Sequence, residues 1–496
     1  MRESGILLPI SSLPSQYGIG CFSKEAYEFV DQLALANQKY WQILPLGPTS
    51  YGDSPYQSFS TYAGNPYFID LNTLIEEGVL TKKECDLADF GSDSRFIDYG
   101  KLYKARYKLL RKAYERSNIS QNPEFRTFQE ENAWWLDDYA LFMAVKGFFQ
   151  DECWDKWPED IKKRYGYALD YYREQLYFEI EFQKYMQFEF SIQWKKLKTY
   201  ANENGIRIIG DIPIYVAYDS ADTWAHPELF QLDEENVPLA VAGCPPDGFA
   251  ADGQLWGNPL YRWDYHRQTG YAWWMQRLSY AFYLYDVVRI DHFRGFDEYF
   301  SIPYGDTTAR NGHWEKGPGI ELFHRMKEVL GERDVIAEDL GYVTDSVRQM
   351  VFESGFPGMK VFEFAFDSRD TGCAGDYLPH NYPVNSVVYT GTHDNATLIG
   401  WYQDIPKEGR EMLRDYIHDY TTSDRSLHWS VICRVMGSPA RICMIPMQDY
   451  LGLNNTCRIN TPSTLGTNWK WRLLDGEFTS DLQNKIKKLV RIYQRN

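Results

Sequence analysis

The chain has 496 residues, 44% of them hydrophobic, enough for a large domain with insertions and a sizeable core. Its 52 basic and 69 acidic residues give a net charge of −17, a field that repels phosphate. Nucleic acid, an anionic membrane surface and a polyanionic substrate are therefore poor partners.

Eight apolar runs read as buried parallel strands, several of them separated by helical periodicity. The first two lie near 5–10 and 40–46, with a helix over 23–36 between them. The segment 51–58 then carries turn chemistry and two tyrosines, and 65–70 carries a further turn. A basic helical stretch at 101–116 reads as a solvated face rather than a nucleic-acid site. The third run is near 206–212, about 160 residues after the second, too far for a single βα loop. The reading is an inserted, mostly helical subdomain over about 50–200 and a second, lid-like insertion over about 217–272. Helix 273–285 leads into the fourth run, 286–291. Helix 320–330 leads into the fifth, 334–338, and helix 343–353 into the sixth, 359–364. The seventh and eighth are near 386–391 and 440–446, and a last helix spans 476–494. Eight strands alternating with helices predict an α/β fold, a (β/α)8 TIM barrel with large insertions and no C-terminal β-sandwich.

The eight cysteines form no C-x-x-C pair, so zinc and redox motifs lack support. No apolar leader opens the sequence and no run approaches a membrane span, so the reading is a cytoplasmic protein with reduced thiols. The aromatic share, 17%, leans slightly toward sugar faces, although rings suit ordinary cores as well.

Three runs end in acids: VVRIDHFRG at 287–295, DVIAED at 334–339 and VVYTGTHDN at 387–395. In a barrel, strand C-termini share one mouth, so Asp291, Glu338 and Asp394 should meet there. Arg289 and Asp291 fall on the same side of their strand, where the guanidinium should keep the carboxylate ionised and fit to attack. Neighbouring anions, Asp339 among them, should raise Glu338 and let it hold a proton. Acids without a metal motif fit glycosidic bond chemistry. Asp211 reads equally as a strand-end cap or a sugar contact; His292 and His393, each beside an acid, read as donors to sugar hydroxyls. The loop 244–259, rich in breakers yet carrying Phe249 and Trp256, reads as a lid or as a packed insertion.

Six motifs together carry a resemblance: GDSPYQSFSTYAGNPY at 52–67, GDIPIYV at 210–216, PPDGFAADGQLWGNPLY at 245–261, VRIDHFRG at 288–295, AEDLG at 337–341 and GTHDN at 391–395. The short strand-end motifs belong to the wider α-amylase clan, which includes hydrolases. With the two longer segments, the chain resembles the 4-α-glucanotransferases called amylomaltases or disproportionating enzymes. The resemblance implies transfer of α-1,4-glucan segments to glucose or another glucan through a covalent glycosyl-enzyme, with no cofactor and no metal. It implies Asp291 as nucleophile, Glu338 as acid/base and Asp394 as the transition-state carboxylate. Arg289, His292, His393 and Asp211 then line the donor site, while Ser54, Tyr56, Asp247, Gln254, Trp256 and Asn460 lie near bound glucan, with Asp367 a further loop match. A hydrolase of the same clan is the nearest alternative. An inert glucan-binding protein would need no proton donor, and a phosphate-handling barrel would need a Gly-rich phosphate loop that the sequence lacks.

Overall fold

The computed structural model describes residues 2–50, 52–246, 251–341, 343–366 and 374–496. Eight parallel strands close into a barrel: β1 (Glu3–Leu7), β2 (Tyr40–Gln42), β3 (Arg207–Ile212), β6 (Val287–Ile290), β9 (Val335–Ala337), β10 (Gly358–Val361), β11 (Ser386–Tyr389) and β12 (Ile442–Pro446). All eight coincide with the apolar runs of the sequence. They read as continuous apolar stretches because a parallel strand between barrel interior and helical ring is buried on both faces; β6, β11 and β12 are buried along their whole length. Inside the barrel the Tyr389 hydroxyl donates to Gln42 Oε1 at 2.9 Å; on the outer side of β2 the Trp41 indole packs on Phe29 and donates to the Leu8 carbonyl at 2.8 Å. Helix Ser480–Ile492 ends beside the β12–β1 seam. There the buried Arg495 donates to the carbonyls of Met436, Ser438, Ala440 and Glu3.

Between β2 and β3 lie the long helices Tyr99–Ser117, Pro123–Phe148 and Tyr177–Glu203. The last of these runs on into β3 and forms part of the barrel wall. Its Trp194 packs on Phe22 at 5.3 Å between ring centroids, and its Tyr200 donates to Asp31 of helix Lys24–Leu35 at 2.6 Å. Gln187 and Gln193 on the same helix bond the backbone of Gly64 and Asp70, fixing the path of the chain after β2. On helix Tyr99–Ser117, Lys101, Arg111, Lys112 and Arg116 pair with acids at or near the surface, as a solvated face should. Arg106 departs from that reading: it is fully buried and donates to the carbonyls of Tyr17 and Ile69.

Of the segment 244–259, read as a loop, Cys244 and Gln254–Pro259 lie in strands. Strand β4 (Ala240–Cys244) pairs antiparallel with β5 (Gln254–Pro259), and β4 also pairs with β7 (Glu298–Pro303), which pairs with β8 (His313–Lys316). The short strands, breakers and bulge between Val241 and Gly243 hide this sheet from local pattern reading. Its partners are also split between the segments before and after β6. Among the described residues every named strand belongs to one of these two sheets, and no helix is long and apolar enough to cross a membrane.

Candidate active site

Strand register assembles the site. Asp211 on β3 lies directly opposite Arg289 on β6. Ile290 lies opposite Ala337, so the next residues, Asp291 and Glu338, leave the barrel side by side. Arg289 is 3% exposed and bridges two carboxylates: Nη1 donates to Asp211 Oδ2 at 2.6 Å and Nη2 to Asp291 Oδ1 at 2.9 Å. Its Nε faces Met359 Sδ of β10 at 3.4 Å.

Glu338 is held by backbone. His292 N donates to Oε2 at 2.7 Å and Leu340 N to Oε1 at 2.9 Å. His292 turns that amide inward by adopting left-handed backbone (φ 47°, ψ 49°), a strained choice for a residue other than glycine. Its ring stands edge-on to Trp256 at 4.9 Å between centroids.

Beyond β11, Asp394 accepts from Asn460 Nδ2 at 2.6 Å and faces His393 Nε2 at 3.3 Å. The segment after β2 closes the ring. Tyr56 donates from its hydroxyl to Asp211 Oδ2 at 2.8 Å and stacks on the His393 ring at 5.1 Å and 15°. Gln57 donates to Asn258 of β5 at 3.2 Å, which ties this segment to that strand. The Ser54 hydroxyl accepts from Tyr56 N at 3.3 Å and so shapes the turn. Gln254 accepts from the Trp256 indole at 3.1 Å on β5. Asp247, Phe249 and Asp367 lie outside the described residues.

The three acids have distinct electrostatic settings. Burial pushes Glu338 up, and the charge of Asp291 adds to this; Arg289 and the two backbone amides pull it down by less. Asp339, which the sequence reading placed among the causes, points elsewhere: it accepts from Met359 N at 2.7 Å, as neighbours on an extended chain face opposite ways. Asp291 also lies above the usual carboxylate range, which corrects the expectation that Arg289 alone keeps it low. Burial, Asp211 and Asp394 raise it against the pull of Arg289. Asp394 goes the other way: burial opposes, but His393 and the Asn460 hydrogen bond hold it well below the usual range. His393 is raised: burial opposes, but the charge and the hydrogen bond of Asp394 together exceed it, whereas burial drives His292 down to about 3, so it is neutral at pH 7.

Three buried polar atoms around this mouth have no hydrogen-bond partner among the described residues: Asp211 Oδ1, His292 Nε2 and His393 Nδ1. Buried polar atoms of this kind need an explanation, and a hydroxyl-rich ligand supplies one. Among the described residues no group of His, Cys, Asp and Glu has the arrangement of a metal site.

A family model described as 4-alpha-glucanotransferase matches residues 8–477. The chain belongs to the 4-α-glucanotransferase family. It is 50% identical to a 4-alpha-glucanotransferase of Clostridium butyricum, over 98% of this chain and 99% of that one. It is 47% identical to one of Streptococcus pneumoniae, over 100% and 97%. The solved amylomaltase of Streptococcus agalactiae, in complex with acarbose, superposes with a TM-score of 0.96 at 40% identity, each chain covered in full. The amylomaltase of Corynebacterium glutamicum (TM-score 0.75, 19% identity, all of this chain and 75% of that one) shares the fold. Family membership at this identity and coverage supports transfer over hydrolysis.

The motifs named Tyr56 and Asn460 as neighbours of glucan; they did not reveal that both also hold members of the acid cluster. Nor did any spacing signal pick out Met359, Asn258 or Arg458, which donates to the Asp394 carbonyl.

Proposed function

We propose that the protein moves segments of α-1,4-glucans to the 4-hydroxyl of glucose or of another glucan by a retaining double displacement. The observation that carries this reading is the pairing of Asp291 and Glu338 in adjacent register, with Arg289 bonded to Asp291 and not to Glu338. Asp291 attacks the anomeric carbon as Glu338 gives its proton to the departing 4-oxygen, leaving a glycosyl ester on Asp291. Esterification removes the Asp291 charge that helped to raise Glu338. The Glu338 carboxylate, now less basic than before but unprotonated, takes the proton of the incoming 4-hydroxyl as that oxygen displaces the ester. Asp394, kept ionised, faces the positive charge that develops on the sugar. Asp211, His292 and His393 take up sugar hydroxyls, and Trp256, Gln254, Tyr56, Ser54 and Asn460 border the glucan. The cysteines Cys21, Cys85, Cys153, Cys433, Cys443 and Cys457 form no disulfide with one another, in keeping with a reducing cytoplasm.

Transfer requires an acceptor at millimolar level to beat water at about 55 M. Alignment in a binding site reaches effective molarities of about 10⁵–10⁸ M, so even a part of that advantage suffices. Trp256 and Tyr56, tied together through Gln57 and Asn258, supply walls that can align an acceptor and shed loose water. Maltotriose alone should yield glucose and longer maltodextrins at nearly constant total reducing ends, measured by chromatography and a reducing-end assay. Trp256→Ala should weaken transfer more than hydrolysis. A steady rise in reducing ends with no product longer than the donor defeats the proposal.

The chemistry above uses carboxyls alone, so exhaustive chelation should leave the maltotriose rate unchanged. Loss of activity restored by one particular metal refutes the metal-free mechanism.

A further inference from the structure

We propose that Asp449 is a positioning residue that holds the loop bearing His393 and Asp394 in its working shape without touching the sugar. This rests on the reading of Asp394 as a site carboxylate. The loop leaves β11 at Tyr389 and enters helix Leu398–Asp404. Asp449 lies on the short helix that follows β12, the neighbour of β11 in the barrel, and is 1% exposed. It grips the loop at both ends: Oδ2 accepts from Thr390 Oγ1 at 2.5 Å and Oδ1 from Leu398 N at 2.7 Å. Both oxygens are thus taken up by the protein, and Thr390 is itself fully buried, so this carboxylate has no route to substrate.

The loop between those ends is braced by hydrogen bonds. Asn395 Oδ1 accepts from both N and Oγ1 of Thr392 at 2.8 Å, and Asn455 accepts from Thr397 N at 3.1 Å. Asn460 N donates to the His393 carbonyl at 3.1 Å. A turn braced in this way moves as a unit, so the anchoring of its ends decides where Asp394 sits. Leu398 N is one of the amides at a helix start that the helix itself cannot satisfy, and an anion suits that position. Burying a carboxylate there is costly: Asp449 has no ion pair among the described residues, and burial pushes it up to about 6 against the hydrogen bonds from Leu398 and Thr390. A clamp that is expensive to bury and placed at both ends of a catalytic loop is what positional control of Asp394 requires.

The test is disproportionation of maltotriose by the full chain, with inhibition by acarbose measured alongside and folding checked by circular dichroism. Asp449→Ala should lower kcat by about 10²-fold, the size of effect that a displacement of about 1 Å produces, with KM within about threefold. Acarbose, whose cationic amine resembles the charged transition state, should lose about tenfold more affinity than maltotriose, because misplacing Asp394 removes charge stabilisation rather than general binding. Asp449→Asn should restore kcat to within about fivefold: its amide oxygen still accepts from Leu398 N, and its NH₂ can donate to Thr390 Oγ1. A folded Asp449→Ala protein with kcat within about threefold of the parent overturns the proposal. If that variant does not fold, Thr390→Val, which removes only one end of the clamp, decides: a fall in kcat of about tenfold or more supports it and an unchanged kcat overturns it. Asp394→Asn is the reference. Its inactivity beside an active Asp449→Ala protein rejects the clamp alone, whereas an active Asp394→Asn protein rejects both readings.

Discussion

Asp291→Asn should lower the turnover of maltotriose by about 10⁴–10⁶-fold, the scale seen when a covalent nucleophile is removed. A neutral amide cannot form the ester, and Asn also leaves half of the Arg289 fork without an anion. Glu338→Gln should behave differently. With natural donors the loss should be about 10²–10⁴-fold, the range of general acid catalysis. With α-maltosyl fluoride, whose leaving group needs little protonation, the first step should proceed. The ester should then accumulate because no base activates the acceptor. Digestion and mass spectrometry should find the sugar on the peptide that contains Asp291; sugar on Asp394 instead sinks the assignment. The pH dependence carries the same signature. Glu338 works protonated in the first step and is raised, so the rate should fall as pH climbs through its raised value, and Glu338→Gln should erase that alkaline limb. The acid limb, from protonation of Asp291, should remain. Both limbs report apparent values of the coupled pair.

The eight barrel strands and the convergence of the three acids were legible because each depends on local information. A strand buried on both faces is a continuous apolar run, and the residue that ends it stands at the mouth. What stayed hidden depends on distant partners. Strand β8 reads HWEK, with no buried residue, and is a strand because β7 lies beside it. Arg106 looks like its surface neighbours in sequence and is buried only because the carbonyls of Tyr17 and Ile69 meet it there. The role of Arg289 was half legible. Alternation placed it beside Asp291, but its second partner, Asp211, comes from a strand about 80 residues away in sequence and needs the register of β3 against β6. The misassigned influence of Asp339 is instructive in the opposite sense, since alternation alone could have turned it away from Glu338.

Arg289→Ala should cost both stability and activity. The guanidinium is the direct cationic partner of Asp211, whose side chain is fully buried, and of Asp291, whose side chain is 29% exposed. Removing one member of a buried ion network leaves the others uncompensated and costs about 3–5 kcal/mol. Asp291, without its cation, should rise further and spend most of its time protonated at neutral pH, so attack fails even in folded molecules. Arg289→Lys keeps the charge but not the fork: one ammonium cannot take both carboxylates in the observed geometry, so the loss should be intermediate. The pH dependence of stability fixes the cause. In Arg289→Ala the folded state prefers the Asp291 carboxyl protonated, so it binds more protons than the unfolded state and its stability falls as pH rises through the raised Asp291 value. Denaturant unfolding should therefore find the deficit relative to the parent larger at pH 8 than at pH 5. A deficit that is the same at both values means that lost packing, rather than two stranded charges, is the damage, and the electrostatic account of the bridge fails.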